Sequence, residues 1–436
     1  MKFIFQQAPA TPVTRVSVIL PRTGACLDPV DRQGLTRLTT RLMFQGAAGM
    51  SNEEINGKLE RLGASMGCSV SNDTLAFRLL CLTENLEPAM ELFLQSIHQP
   101  NLDSEEFHRL QSELISGWIA DREESKQLRA QDAYMDTLFG ETPAGFMADG
   151  KLEGLRTSTI EDVRAHYPVL FSQGDALAAI LSDLPESEAE RRVYSPLSLP
   201  EATNEIAKFP WDEFTPITPN GRRVVILPDK EPNTNEIVAG AFSASEPDGD
   251  WHIHRVISFI FGGDMNSRLF RILRGEHGFS YGASCWYESA QGRTPRNMVS
   301  PFSLYTFPAT EHTAKALPML LSLYEKLVES GVTEEELDLA RKSLTLSHPF
   351  LRDTPQKLLA IKIAKELYGI LTEEEEENRD KLAEITTADV LRVLQKTHHP
   401  DRLSLVLVGE PDQLEPLARE LPGVTSVEIR ANRMAG

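Results

Sequence analysis

The sequence predicts an α+β fold made of two related halves, each a mainly antiparallel sheet packed against helices, the halves facing each other across a cleft. Three observations predict it. The chain has 436 residues, more than one ordinary domain carries. A stretch rich in proline and polar groups, 185–221, reads as an exposed connector between two flanks. Both flanks then run through one order of elements, strand, helix, strands, long helices, strand, which suits helices layered on a sheet. The expected division is an N-terminal domain 1–190, a linker 191–221 and a C-terminal domain 222–436. A duplicated pair of this kind commonly packs face to face, and ligands collect in the groove between.

The elements follow in order. The first half opens with the β-branched run Val16–Leu20, and the second with Val224–Leu227 and Ile237–Gly240. Apolar helices follow at Leu35–Phe44 and Val256–Phe261. Ser104 and Thr333 then stand before glutamate-rich starts as helix N-caps. Each half closes with a helix that leads into a strand: Ser158–Val163 before Ala176–Leu181, and Thr386–Val390 before Leu403–Gly409. The acidic run Thr372–Glu377 reads as a capped first helical turn, where negative charge complements the helix dipole.

Composition excludes several classes. The formal net charge of -20 argues against nucleic acid, whose phosphates need a basic surface, and permits a neutral or basic peptide partner. No apolar run approaches the ~18 residues of a membrane span. The N-terminal Met1–Gln7 is too short an apolar run for a secretory signal. The expectation is a cytoplasmic protein if Met1 is native, and a periplasmic one if a signal peptide has been removed. Four cysteines, Cys26, Cys68, Cys81 and Cys285, are scattered without a metal-binding spacing and read as buried thiols of a reducing compartment. His252 and His254, if on a strand, would share one face, but no third ligand lies nearby in sequence.

Two segments carry chemistry. The first is Gly34-Leu35-Thr36-Arg37-Leu38-Thr39-Thr40-Arg41-Leu42-Met43-Phe44-Gln45-Gly46. Its frame resembles the signature of the pitrilysin/insulinase metallopeptidases, in which H-x-x-E-H lies on a helix. The resemblance runs from about residue 13 to 415, with Leu59–Ala64, Ser71–Thr74 and Phe139–Gly145 among its matching pieces. In that family two histidines four apart grip zinc and a glutamate activates the bound water. A further glutamate, about 75 residues on, completes the ligands. The corresponding positions here are Arg37, Thr40 and Arg41. Guanidinium stays protonated and offers no lone pair, and a threonine is no carboxylate base. The distal position falls at Ser116-Gly117-Trp118, flanked by Glu113 and Glu123. The expectation is a first half that holds no metal.

The second segment, Gly263 to Tyr281, contains Ser267-Arg268-Leu269-Phe270 and resembles the same family's "SRLF…LR…G…Y" stretch. It reads as a helix Ser267–Arg274, a turn at Gly278 and a strand from near Ser280. In active relatives the arginine and tyrosine of this stretch bind substrate backbone and steady the oxyanion; here they are Arg274 and Tyr281. The plainer reading is a helix-turn-strand corner with Tyr281 as packing. Arg268 reads as structural, pairing with a carboxylate or capping carbonyls.

The resemblance therefore implies a subunit inactive on its own. It would supply Arg274 and Tyr281 in trans to a homologous zinc-bearing partner subunit acting on a peptide substrate, with the zinc in that partner. A catalytically silent structural or peptide-binding homologue, or a maturation partner for a precursor peptide, are the alternatives.

Overall fold

The computed structural model describes residues 1–201, 214–229, 233–246, 250–287, 298–368 and 381–431. The expected acidic helix start at 372–377, and the part of the linker at 202–213, lie outside the described residues. The remainder is an α+β protein with two sheets, each mainly antiparallel, as expected.

The strands in chain order are β1 (Lys2–Gln7), β2 (Val13–Pro21), the two-residue β3 (Gly46–Ala47) and β4 (Met50–Ser51), β5 (Ser65–Val70), β6 (Thr74–Leu82), β7 (Leu177–Ser182), β8 (Arg222–Pro228), β9 (Glu236–Glu246), β10 (Ser280–Tyr287), β11 (Met298–Pro308), β12 (Ser404–Gly409) and β13 (Val424–Ile429). The first sheet has the order β1-β7-β2-β6-β5 and the second β10-β11-β9-β12-β8-β13. Read from β8, the second runs β8-β12-β9-β11-β10, and each step matches the first. Both open with a parallel pair, β1 with β7 and β8 with β12. Both continue through three antiparallel pairs. The internal duplication is thus written in the strand pairing, with β13 added beside β8.

The first five helices are α1 (Leu35–Met43), α2 (Asn52–Leu62), α3 (Leu86–His98), α4 (Ser104–Glu124) and α5 (Lys126–Phe139). Local chemistry places their ends. Ser51 and Glu54 form a reciprocal capping box on α2, and Gly63 in the left-handed region ends it. The helices Ile160–His166 and Thr387–Thr397 carry the same device, Thr159 with Asp162 and Thr386 with Asp389. Thr333 caps its helix as expected, exchanging bonds with Glu336. Ser104 does not: Asp103, one residue earlier, accepts from the Glu105 and Glu106 N–H groups, and Ser104 is the first helical residue. A carboxylate is the stronger acceptor for those donors.

The compact units do not coincide with the contiguous division at 190 and 222. One unit comprises Met1–Ile119, Glu141–Phe214 and Pro349–Thr372; the other Ala120–Gly140, Thr215–His348 and Glu373–Gly436. Each sheet therefore borrows a helix from the other flank of the sequence. In the first unit one sheet face packs Val16, Val18, Phe77 and Ile180 against Phe93 of α3. The other face, with Ile4, Ile19, Ala179 and Leu181, is covered by Leu359, Ile363 and Leu367 of the helix Pro355–Tyr368. Lys362 Nζ donates to the Phe5 carbonyl at 2.7 Å, and Lys2 pairs with Glu366 at 2.6 Å. In the second unit the borrowed helix is α5. Tyr134, fully buried, shares a 2.9 Å hydrogen bond with the Ser303 hydroxyl, and Phe139 meets Phe242 edge-on at 5.1 Å. Gly240 makes the approach possible, since a Cβ there would lie 2.1 Å from the Tyr134 hydroxyl.

The start of the expected linker is also folded. Residues 186–194 are helical, and Ala189, Val193 and Leu197 are buried in the first unit's core, so apolar spacing overrode the local proline signal.

A borrowed helix should matter to its host sheet. Leu359→Ala removes buried contacts and leaves a cavity on the β1/β7 face, and should cost about 2–4 kcal/mol of stability in urea titrations. Loss below ~0.5 kcal/mol would mean that the helix does not seal that face.

Candidate functional site

Helix α1 is buried almost all round. Leu35, Thr36, Leu38, Thr39, Thr40, Leu42 and Met43 are all buried, which leaves Arg37 and Arg41 as the two positions reaching outward. Four residues apart, they share one face of the helix. Its start is fixed by a buried carboxylate. Asp28 accepts from the Gly34 N–H at 2.6 Å, the Thr36 N–H at 2.7 Å and the Thr36 hydroxyl at 2.6 Å. Gly34 takes φ 106°, and Gly150 packs so closely that a Cβ there would lie 2.4 Å from the Gly34 Cα. His166 completes the cluster, its Nε2 at 2.8 Å from the Thr36 hydroxyl. With that hydroxyl donating to Asp28, the imidazole N–H is the donor to Thr36. Burial raises the Asp28 carboxyl to about 7, against the pull of these hydrogen bonds, and lowers His166 to about 4.

The arginines line an open cleft of about 630 Å³ between α1 and the edge strand β5, together with Gln45, Asn52, Cys68 and Asp149. Arg37 Nη1 donates to Asp149 at 2.5 Å and Arg41 Nη2 to Glu113 at 3.1 Å. Thr40 turns back on its own helix, donating to the Thr36 carbonyl at 2.8 Å. Glu113 thus has a task that its sequence position did not disclose: it neutralises Arg41 from α4. Gly117, one turn further along α4, has no side chain, and a Cβ added there would meet nothing within 4 Å. These residues do not fit a zinc ion. Two guanidinium groups and a hydroxyl stand at the motif positions, and their cationic charge opposes a divalent cation. Among the described residues no group of three or more His, Cys, Asp or Glu is placed to hold a metal.

His252 and His254 lie on a helix, Trp251–Ser258, and not on a strand. Two residues apart on a helix they do not share a face. His254 Nδ1 lies 2.7 Å from the Tyr287 hydroxyl, which is 2.8 Å from His398 Nε2, while His398 Nδ1 lies 2.8 Å from the Tyr324 hydroxyl. These histidines are links in a buried hydrogen-bond chain. All four cysteines are free; Cys26, Cys81 and Cys285 are buried and Cys68 is partly exposed at the cleft.

The second segment forms the expected corner. Helical residues 268–276 end where Gly278 takes φ 62°, and β10 starts at Ser280. The guanidinium carbon of Arg274 lies 4.3 Å from the centroid of the Tyr281 ring and 4.8 Å from that of Phe270. A cation between two rings is held in place without its N–H groups being used up. Among the described residues no carboxylate pairs with Arg274. Tyr281 is 72% exposed, with its ring centroid 6.3 Å from that of Phe307. Arg268 is structural: it grips Glu336 at 2.6 and 3.0 Å and donates to the Gly331 carbonyl at 3.2 Å.

Two family models match consecutive parts of the chain. Residues 2–147 match the family model for insulinase (peptidase family M16), and 157–344 match that for the peptidase M16 inactive domain. The chain is 21% identical over 335 residues to the non-peptidase homolog YmxG of Helicobacter pylori, spanning 76% of this chain and 74% of that one. A peptidase M16 inactive domain from Pseudomonas fluorescens superposes with a TM-score of 0.80 at 21% identity, over 94% and 95% of the two chains. The periplasmic protease PqqL of Escherichia coli gives 0.73 at 15% identity, covering 98% of this chain and 50% of that one.

Two predictions follow from the local chemistry. Arg268→Ala leaves Glu336 half-buried without its partner and should cost about 2–3 kcal/mol, whereas Arg41→Ala removes a solvent-exposed pair and should cost less than ~1 kcal/mol in the same denaturation assay. Equal losses would contradict the assignment of Arg268 as structural and Arg41 as dispensable to folding. The second concerns pH. Asp28, raised from 3.8, keeps its proton in the folded state between 3.8 and about 7 while the unfolded chain has lost it, so its contribution falls as pH rises. His166, lowered from 6.5, stays neutral between about 4 and 6.5 while the unfolded chain takes up a proton, so its contribution falls as pH falls. In that shared window the two slopes oppose. His166→Gln should therefore lose stability relative to the parent as pH rises from 4.5 to 6.5, by up to ~1.4 kcal/mol per pH unit. Parallel stability curves would rule out this opposition.

Proposed function

We propose that this chain, which belongs to the insulinase (M16) family of peptidases, is the subunit of a two-chain metallopeptidase that supplies an arginine and a tyrosine to a partner's zinc site. The family is represented over both halves, and the chain is an inactive homologue within it: its own motif positions carry groups that cannot bind zinc or activate water. The contrast between its two arginine sites carries the proposal. Arg37 and Arg41 are each tied to a carboxylate, whereas Arg274 is positioned by aromatic rings with its N–H groups left over, beside an exposed phenol.

Such a pair suits the oxyanion of peptide hydrolysis. The guanidinium N–H groups and the Tyr281 O–H donate to a substrate carbonyl, and both bonds strengthen as negative charge develops on that oxygen. The zinc of a homologous partner would supply the activated water. Arg274 is prevented from collapsing onto an internal acid, so its charge is already in place when substrate arrives. The first unit separately carries an open sheet edge. In the β5–β6 hairpin the Ser71 N–H bonds the Thr74 carbonyl, so by alternation 69, 67 and 65 bond to β6 and 66, 68 and 70 turn their backbone groups to the open edge. An extended peptide can add there as a further strand. The match of this chain to one half of the longer PqqL chain supports an assembly of two such units.

The test is reconstitution. Co-expressed with a homologue that carries H-x-x-E-H, this chain should raise peptidase turnover. Tyr281→Phe should lower kcat by about 10²-fold, and Arg274→Lys by a comparable factor, with smaller changes in KM. Unchanged turnover in Tyr281→Phe overturns the assignment. A stable complex whose activity does not depend on this chain would favour a silent scaffold.

A further inference from the structure

The cleft beside α1 is no longer a metal site, but its polar groups point one way. Arg109 Nη2 and Asn52 Nδ2 both donate to Gln45 Oε1, at 2.7 and 2.9 Å, and Asn56 Nδ2 donates to Asn52 Oδ1 at 2.8 Å. The Gln45 and Asn52 amide oxygens are therefore engaged, and the Gln45 amide nitrogen and the second hydrogens of Asn52 and Asn56 remain as donors. Arg37 and Arg41 add guanidinium donors from α1. Their present partners hold them loosely. Asp149 and Glu113 have side chains 41% and 50% exposed, and Glu113 is shared with Arg109 at 3.5 Å. Exposed pairs of this kind are worth little and exchange readily. At the cleft floor burial raises the Cys68 thiol, against the hydrogen bond with Thr40 and the charges of Arg41, Arg78 and Arg37, which act to lower it. Two guanidinium groups with spare amide N–H groups beside them favour an acceptor-only group. This cluster stands out in a chain of net charge -20.

We propose that this cleft binds an extended peptide through a carboxylate, with Arg37 and Arg41 as the recognising pair. The peptide's backbone lies along the open edge of β5. Its carboxylate, from an Asp or Glu side chain or from a free C-terminus, displaces Glu113 or Asp149 from the arginines and forms the planar two-bond contact that guanidinium favours. The site that held a cation in catalytic relatives thereby becomes one for an anion. The inference rests on the reading that this chain binds peptides, and names the class of peptide it takes.

Fluorescence anisotropy on the full chain alone, without any zinc-bearing partner, tests it. The probes are short labelled peptides of alternating valine with glutamate, glutamine or lysine, each made with an amidated and a free C-terminus. The glutamate peptide should bind at least tenfold more tightly than its glutamine counterpart at low salt, and the difference should shrink as salt is raised. The free and amidated versions separate side-chain from terminal recognition. Arg37→Gln/Arg41→Gln should abolish the preference. Glu113→Gln, which removes an internal competitor for Arg41, should tighten the glutamate peptide several-fold, a gain that a damaged fold would not produce. Equal binding of the glutamate and glutamine peptides with both C-termini amidated and with both free, absence of binding by every probe, or a preference that survives the double substitution overturns the proposal. None of these outcomes touches the role of Arg274 and Tyr281, which is read from turnover with the partner present.

Discussion

The Asp28 carboxylate, buried against the first turn of α1, is the interaction on which the functional surface depends. Its oxygens accept from N–H groups that the helix itself cannot satisfy. That fixes where α1 begins and how it is rotated. Seven of its nine residues are then committed to the interior, so only two can face the cleft. Whatever occupies those two positions decides the chemistry of this half. With imidazoles there, a helix held so rigidly would present a metal-binding pair. With guanidinium groups there, the same rigid helix presents two fixed positive charges. The scaffold has been kept and the chemistry inverted by two side chains.

The two halves answer the same problem differently. Both contain an arginine next to a groove or an exposed corner, and the neighbours determine what each can do. A carboxylate partner fixes a guanidinium by using its hydrogen bonds, and a new ligand must compete for them. An aromatic partner fixes it by stacking and leaves those bonds available. Arg268 marks a third case: drawn down to Glu336 and the Gly331 carbonyl, it belongs to the fold. Four arginines therefore fall into three roles, distinguished by the neighbours they stack on or bond to and by burial, not by residue type.

Much of this was legible in the sequence, for identifiable reasons. The loss of the zinc ligands needed only the residue types at 37, 40 and 41. The corner at Gly278 and the cap at Thr333 follow from local backbone chemistry, which a few adjacent residues determine. What was not legible depends on distant partners. Nothing in the spacing of α5 or of Pro355–Tyr368 says which sheet an amphipathic helix will cover, since an apolar stripe fits either. Glu113 was placed near the distal ligand position, but its turn toward Arg41 depends on the packing of α4 against α1. Ser104 lost its cap position to Asp103 because two good cap residues were adjacent and sequence alone does not rank them. For His252 and His254 a shared face required a strand, and a short apolar run has no period long enough to separate strand from helix.

The borrowed helix Pro355–Tyr368 has a consequence for how the protein is made. The strand that opens the chain is sealed by a segment that follows it by some 350 residues, as the pairing of Lys2 with Glu366 records. A ribosome delivers the β1–β7 sheet early, yet the apolar face carrying Ile4, Ile19 and Leu181 must wait for translation to pass residue 368. During that interval the nascent chain displays an uncovered greasy surface. A protein laced in this way has reason to depend on chaperones while it emerges, and to tolerate poorly any premature stop before residue 368.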